Sequence, residues 1–293
     1  MRASIVIRTF NEAKWLGTVL KALADQDVPA REVETIVVDS GSTDGSRDIA
    51  VRHGCRLVEI AKEDFSFGYS LNTGCAAARG RALVFLSGHC IPKRRDWLSR
   101  LIAPLGREGM VYTYGRQDGH ELSKFSETQL FRKYFPDSSA LPQKGFFCNN
   151  ANAALLRSVW QDHRFDEDLT GLEDMDLAKR LTAGGMKVGY VAEAPVIHIH
   201  EESWLKTRKR YEREALALQA IMPEVQISLA DVARYFVSGV FFDWAEAVQQ
   251  RAFFRHASGI VLFRLMQYWG TYRGNNDHRK MCAERKEAFF YPR

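Results

Sequence analysis

The chain has 293 residues, 46% of them apolar, and a formal net charge of +5. That length and apolar content allow one large domain, or a domain with an appendage, around a sizeable core. No run approaches the roughly 18 apolar residues of a spanning helix, and residues 1–20 lack the apolar core of a secretory signal.

The opening stretch reads as strand, turn, helix, strand, turn. Ile5, Val6 and Ile7 form a short run of buried-strand type. Leu16, Val19, Leu20 and Leu23 recur at helical spacing. Ile36, Val37 and Val38 form the next strand, which ends on Asp39. A strand-helix-strand unit of this length implies a parallel pair, and ligands of such sheets sit outside the carboxyl ends of the strands. The turns Arg8-Thr9-Phe10-Asn11 and Asp39-Ser40-Gly41-Ser42-Thr43-Asp44-Gly45 both leave from those ends. They are expected to line one crevice. As bare residues, Asp39, Ser42 and Asp44 also suit the cap of a helix near residues 47–51.

The two motifs, IVIRTFNE and IVVDSGSTDGS, resemble the opening of a family 2 glycosyltransferase. The resemblance extends over about residues 3–215. It implies an α/β fold of GT-A type, a Rossmann-like mixed sheet flanked by helices. The expected division is a catalytic domain at 1–215 and a C-terminal helical extension at 216–293. It also implies that Thr9, Asn11 and Glu12 flank a nucleotide and that Asp39 accepts a hydrogen bond from a base N–H.

Further along, Leu57, Val58 and Ile60 mark a third strand, and a small-residue helix runs from about residue 70 to Ala78. The family layout places Asn72 near the nucleotide, and Gly74 where backbone approaches closely. Leu83, Val84, Phe85 and Leu86 are a central strand that ends in Ser87-Gly88-His89. In the family this is the D-x-D position, whose carboxylates hold a divalent metal. Ser is a poor ligand, whereas neutral imidazole suits Mn or Zn better than Mg. Two readings stay open: His89 is one metal ligand among others, or the enzyme works without metal and His89 meets phosphate. Ser87 and Gly88 are expected against the nucleotide in either case. The cofactor implied is a divalent metal, Mn or Mg, with no organic cofactor.

A strand is expected near residues 111–117 and a helix near 125–135. Phe146 to Leu155 resembles the family strand beneath the sugar, with Asn150 and Asn152 as contacts for sugar hydroxyls. The string GLEDMDLAKRL resembles the family's E-D-x-D helix. By that resemblance Asp174 is the general base of an inverting enzyme, with Glu173 beside it. Read without the family, Thr170 and Glu173 form a T-x-x-E capping box. His198 and His200 alternate on an extended segment, so they point the same way and join His89 as candidate metal ligands.

Residues 201–293 hold 15 Lys/Arg against 11 Asp/Glu, and the first 200 hold 26 against 25. The basic excess therefore lies in the C-terminal third, where it suits phosphates or an anionic membrane surface. Related rhamnosyltransferase-like members place an Arg stretch on the diphosphate, which implies Arg210 or Arg213 here. Two amphipathic helices within residues 226–273 interleave aromatics with Arg. This suits an in-plane membrane contact, a dimer interface, or packing onto the catalytic domain. Phe289, Phe290 and Tyr291 offer a further anchor. The cysteines, Cys55, Cys75, Cys90, Cys148 and Cys282, are scattered and without a CxxC, as reduced cytosolic thiols are.

The expected function is transfer of a sugar from a UDP-, dTDP- or CMP-linked donor to a glycan or polyprenyl-linked acceptor. The setting is surface-polysaccharide assembly (capsule, O-antigen or exopolysaccharide) in the cytoplasm or at the inner face of the plasma membrane. No nucleic acid is expected as a partner. The competing readings are a metal-dependent hydrolase built on His89, His198 and His200, and a non-catalytic nucleotide-binding module.

Overall fold

The computed structural model describes residues 1–277. Cys282 and the aromatic triplet at 289–291 lie outside the described residues. The chain divides into two compact units. The first comprises Met1–Glu121, Phe131–Leu169 and Glu173–Ile199; the second comprises Leu122–Leu130, Thr170–Leu172 and the chain from His200 onward.

The first unit is built on a sheet of eight strands. In chain order these are β1 (Ala3–Thr9), β2 (Val33–Asp39), β3 (Arg56–Glu59), β4 (Ala82–Ser87), β5 (Cys90–Pro92), β6 (Met110–Gly119), β7 (Asn152–Leu156) and β8 (Lys187–His198). Their order across the sheet is β3-β2-β1-β4-β7-β6-β8-β5. The run β3-β2-β1-β4 is parallel. Strand β7 is antiparallel to both β4 and β6, β6 and β8 are parallel, and β5 closes the edge antiparallel to β8.

Both faces of the sheet are covered, which explains why the parallel strands read as unbroken apolar runs rather than alternations. Ile5, Ile7, Val37, Val84 and Leu86 pack with Leu16 and Leu20 of helix α1 (Ala13–Ala24). Val6, Val38 and Phe85 point the other way and pack with Leu71 of helix α3 (Phe67–Ala77). Helix α2 (Ser46–Arg52) lies between β2 and β3, and helix α4 (Trp97–Ile102) follows β5 with four of its side chains buried. Gly74 on α3 tolerates no side chain, since an added Cβ would stand 2.4 Å from Val6 Cγ1. Its close approach is thus to the sheet.

Three of the expected elements differ in extent. The segment ending at Leu155 is a strand only from Asn152, because Asn149 and Asn150 turn instead: Asn149 accepts the amides of Ala151 and Asn152. The extended segment expected around His198 and His200 is the end of the long strand β8, which starts at Lys187 and stops at His198. Helix α7 (Glu173–Ala183) starts at Glu173, so the expected capping box does not form; Thr170 Oγ1 instead donates to the Arg213 carbonyl. Helix α5 (Phe125–Tyr134) forms where expected, and α6 (Arg157–Asp162) is a short helix that the sequence pattern did not signal.

The second unit contains α8 (Trp204–Ile221), α9 (Leu229–Gln249) and α10 (Phe253–Asn275). Ser203 caps α8, and Ser228 with Asp231 forms a reciprocal capping box on α9. Helix α10 reaches α8 backbone to backbone: a Cβ on Gly274 would sit 2.0 Å from the Glu212 carbonyl oxygen. Between α9 and α10, Arg264 makes two bonds to the buried Asp243, at 2.7 and 2.8 Å. Breaking such a pair strands a charge in a low-dielectric interior. Asp243→Ala is expected to cost about 3–5 kcal/mol, measured by denaturant unfolding. Asp243→Leu with Arg264→Met removes both charges and should recover most of that loss.

Candidate active site

The two polar turns after β1 and β2 are stitched together. Ser42 Oγ accepts the Asn11 amide at 2.8 Å, Asn11 Oδ1 accepts the Thr43 amide at 2.9 Å, and Ser46 Oγ accepts the Glu12 amide at 2.8 Å. Asp44 accepts the Ala13 amide and, with its other oxygen, both the amide and hydroxyl of Ser46. Asn11 adopts φ +56°, a left-handed turn that Asn tolerates. These contacts satisfy the first amides of α1 and fix one turn against the other. Asn11 and Asp44 are thus wall-building residues.

Asp39 is the exception in this web. It is buried, and its Oδ1 accepts the Gly41 and Ser42 amides at 3.0 and 2.8 Å. Its Oδ2 is buried without any hydrogen-bond partner, as is Thr9 Oγ1. Thr9 and Asp39 are direct neighbours across the β1–β2 pair. A buried polar atom left unpaired costs about 1–3 kcal/mol, so two side by side at strand ends mark a place prepared for a ligand's polar edge. Asp39 does not cap α2; Gly45 holds that position.

The carboxylate pair stands at the same end of the sheet. Arg8, one residue before Thr9, donates from Nη1 to Glu173 Oε1 at 3.0 Å and stacks its guanidinium 4.8 Å over the Phe67 ring. Arg8 carried no role in the sequence reading. The available signal was an arginine as the first residue of the turn motif, where the strand ends. Asp174 is buried in the first turn of α7, where its Oδ2 accepts the Asn150 amide at 2.7 Å and its Oδ1 the Met175 amide at 2.8 Å. Burial first, and the neighbouring Glu173 charge second, push its carboxyl up to about 7. A carboxylate with that proton affinity suits general-base work near neutrality.

The Ser87-Gly88-His89 turn follows β4. Gly88 faces the Glu12 side chain, and His89 Nδ1 lies 2.9 Å from Glu12 Oε1. Ser87 Oγ is 3.1 Å from His89 Nε2. The His89 ring stacks on His198, with centroids 5.2 Å apart. A chain of hydrogen bonds sets the tautomer of His198. The Ala151 amide donates to Asn149 Oδ1, which therefore must be oxygen, and Gln117 Nε2 donates to the same atom. Gln117 then presents Oε1 to His198 Nδ1 at 2.7 Å, so Nδ1 carries the proton and Nε2 the lone pair. Both imidazoles thus have Nδ1 held by an oxygen acceptor, the outer-shell pattern of metal-binding histidines. The donor set fits a cation that accepts imidazole, and fits Mg less well.

Several expected contacts are corrected. Asn72 does not face a nucleotide. Its amide donates to the Phe165 carbonyl and to Glu167, and its oxygen accepts from Trp160 Nε1 and the Phe165 amide. All four hydrogen-bonding positions are occupied, which makes it a staple between α3 and the loop before α7. Asn152 is fully buried, held by Trp97 Nε1 and the carbonyls of Arg116 and Ala194; no sugar hydroxyl reaches it. Asn150 accepts from Tyr112 OH, but its Nδ2 is buried and unpartnered. In the second unit, Arg210 is committed to Glu127 and Glu202 rather than to phosphate. Arg213 is exposed. His200 Nδ1 lies 2.6 Å from Glu127 Oε1 in that unit.

Comparison with known proteins shows the family and the fold. The model of Glycosyl transferase family 2 matches residues 4–164. The chain belongs to that family. The match includes both stitched turns and the Ser87-Gly88-His89 turn, and it ends before α7. This family 2 chain is 29% identical over 189 residues to the O-antigen chain rhamnosyltransferase WbaN of Salmonella anatum, covering 61% of this chain and 60% of that one. It is 27% identical over 223 residues to the O-antigen chain rhamnosyltransferase RfbN of Salmonella typhimurium, covering 72% and 70%. Among solved structures, the mannosyltransferase PcManGT of Pyrobaculum calidifontis, in complex with GDP-Man and Mn2+, aligns with a TM-score of 0.64 at 17% identity over 97% of this chain and 88% of that one. The fold is therefore the GT-A fold expected from the opening motifs.

Asn72→Ala is expected to lower stability by roughly 2–4 kcal/mol, because it leaves buried donors and acceptors unpaired. Chemical unfolding measures this. The thermal shift induced by a bound nucleoside diphosphate should be unchanged.

Proposed function

We propose that this family 2 chain is an inverting glycosyltransferase that moves a sugar from a nucleotide donor to a glycan or lipid-linked acceptor in surface-polysaccharide assembly. The observation that carries the reading is the buried Asp174, with its raised proton affinity, at the sheet edge where Asp39 keeps a buried oxygen unpaired. Asp39 Oδ2 accepts an N–H of the donor's base, and Thr9 Oγ1 completes that polar edge. Asp174 takes the proton of the acceptor hydroxyl as its oxygen attacks the anomeric carbon. The bond from that carbon to the diphosphate breaks on the opposite face, and the nucleoside diphosphate leaves with the electron pair. Arg8 holds Glu173, so the second carboxylate stays anchored beside the base. Asn150 Nδ2, unpartnered beside Asp174, is the asparagine contact offered to the acceptor or sugar.

His89 and His198, whose rings stack, are the residues of the first unit that would hold a divalent cation. Such a cation, Mn2+ in preference to Mg2+, supplies positive charge to the departing diphosphate. PcManGT was crystallised with GDP-Man and Mn2+, and the relatives WbaN and RfbN are named as rhamnosyltransferases. These names support a nucleotide-linked hexose or deoxyhexose as the donor class. The four described cysteines are free thiols, in keeping with work on the cytoplasmic side.

Asp174→Asn is expected to lower transfer about 10²- to 10⁴-fold while the nucleotide still binds; a transfer assay with a thermal-shift control reads both. Transfer surviving near the wild-type rate would sink the assignment. The pH profile offers an independent check. The base acts deprotonated, so kcat/KM should rise with pH through a midpoint near the Asp174 value of about 7. Glu173→Gln removes a negative charge that raises that value and releases Arg8, which lowers it. The acid limb should therefore move to lower pH.

A further inference from the structure

Helix α9 turns one side into the second unit and leaves the other bare. Val240, Asp243 and Ala247 are its buried residues. On a flank of the helix, Val237, Phe241 and Val248 fall on one exposed stripe, at spacings of four and seven residues. Phe241 is 63% exposed and its neighbour Phe242 66%. Just past the end of α9, Phe254 is 98% exposed where α10 begins. Among the described residues no helix is long and apolar enough to cross a membrane. Yet three largely exposed phenylalanines within residues 241–254 exceed what scattered surface apolar residues explain.

The charge around this face is of one sign. From Leu229 to Asn275 every exposed charged side chain is an arginine: Arg234, Arg251 and Arg255. The acids of the two helices are at least partly buried. Asp243 is bonded to Arg264, Asp231 belongs to the α9 cap and also lies 3.7 Å from Arg234, and Glu246 accepts from Gln250. Arg234 stands near the start of the stripe, and Arg251 and Arg255 flank its end. A second copy docked here by two-fold symmetry would place these arginines against each other in either helix direction, with no exposed acid on the two helices to answer them. An anionic lipid surface answers all three at once.

We propose that the α9 face and the α9–α10 turn dock the chain onto an anionic bilayer surface. The phenylalanines enter the headgroup–acyl boundary, and the arginines pair with lipid phosphates. This goes beyond the catalytic reading and does not depend on it, since vesicle binding needs no substrate.

The test is flotation of the full chain with phosphatidylcholine vesicles, with or without phosphatidylglycerol. Binding is expected only to the anionic vesicles and should weaken as salt rises to about 0.15 M. Arg251→Glu with Arg255→Glu should weaken it on the order of 25-fold or more, at about a factor of five per lost arginine. Phe241→Ser with Phe242→Ser and Phe254→Ser should weaken it at least about tenfold, with an unchanged melting temperature to show that the fold is intact. The proposal is overturned by absence of binding to anionic vesicles at low salt. It is equally overturned by variants that bind like wild type, or by a wild-type dimer that the phenylalanine variant converts to monomer without any vesicle binding.

Discussion

Three side chains of the second polar turn, Ser42, Asp44 and Ser46, accept the backbone amides of Asn11, Ala13 and Glu12 at the start of α1. A helix start offers unsatisfied amides, and here another loop satisfies them instead of a local cap. The result is a rigid junction between the ends of β1 and β2. Asp39 is not the cap of α2, where Gly45 holds that position. Two local amides hold one of its oxygens and leave the other unpaired in a buried position. The cost of that orphan atom is tolerable only because the surrounding web prevents the turn from relaxing around it.

Arg8 carries this rigidity to the carboxylate pair. It sits beside Thr9 on the central strand and reaches Glu173 at the start of α7. Residues 165 positions apart in the chain are thus brought to the same end of the sheet. At α7 the helix start faces Asn150, whose amide holds Asp174 Oδ2. Asp174 is therefore oriented by one strand-end turn, while burial and Glu173 set its proton affinity. The Asn150 amide that orients the carboxylate also pulls its proton affinity down, against the larger upward push of burial and Glu173.

The histidines follow the same design. His198 owes its tautomer to Gln117, Gln117 to Asn149, and Asn149 to the backbone amide of Ala151. Only the last link is a group whose donor character is beyond choice. A fixed amide sets a side chain several bonds away, so an imidazole lone pair is presented without any charge to direct it.

Much of the catalytic unit was legible in the sequence because its signals are local. Apolar runs bounded by polar turns determined β1, β2 and β4, and the turn motifs pointed to the family. Asparagine was the residue type that misled. Asn72 and Asn152 have the donors and acceptors that sugars need, but the same groups serve Trp160, Trp97 and buried carbonyls. Arg210 misled for a similar reason: an arginine in a basic cluster reads as a phosphate contact until Glu127 and Glu202 are seen on it. Which partner satisfies a polar side chain depends on residues far away in the chain, as with Arg8 and Glu173. The order of elements and the chemistry of the turns were thus determined by the sequence itself. Which polar groups are sealed inside and which still face a ligand was decided only by tertiary packing, because hydrogen bonding is settled by proximity in space.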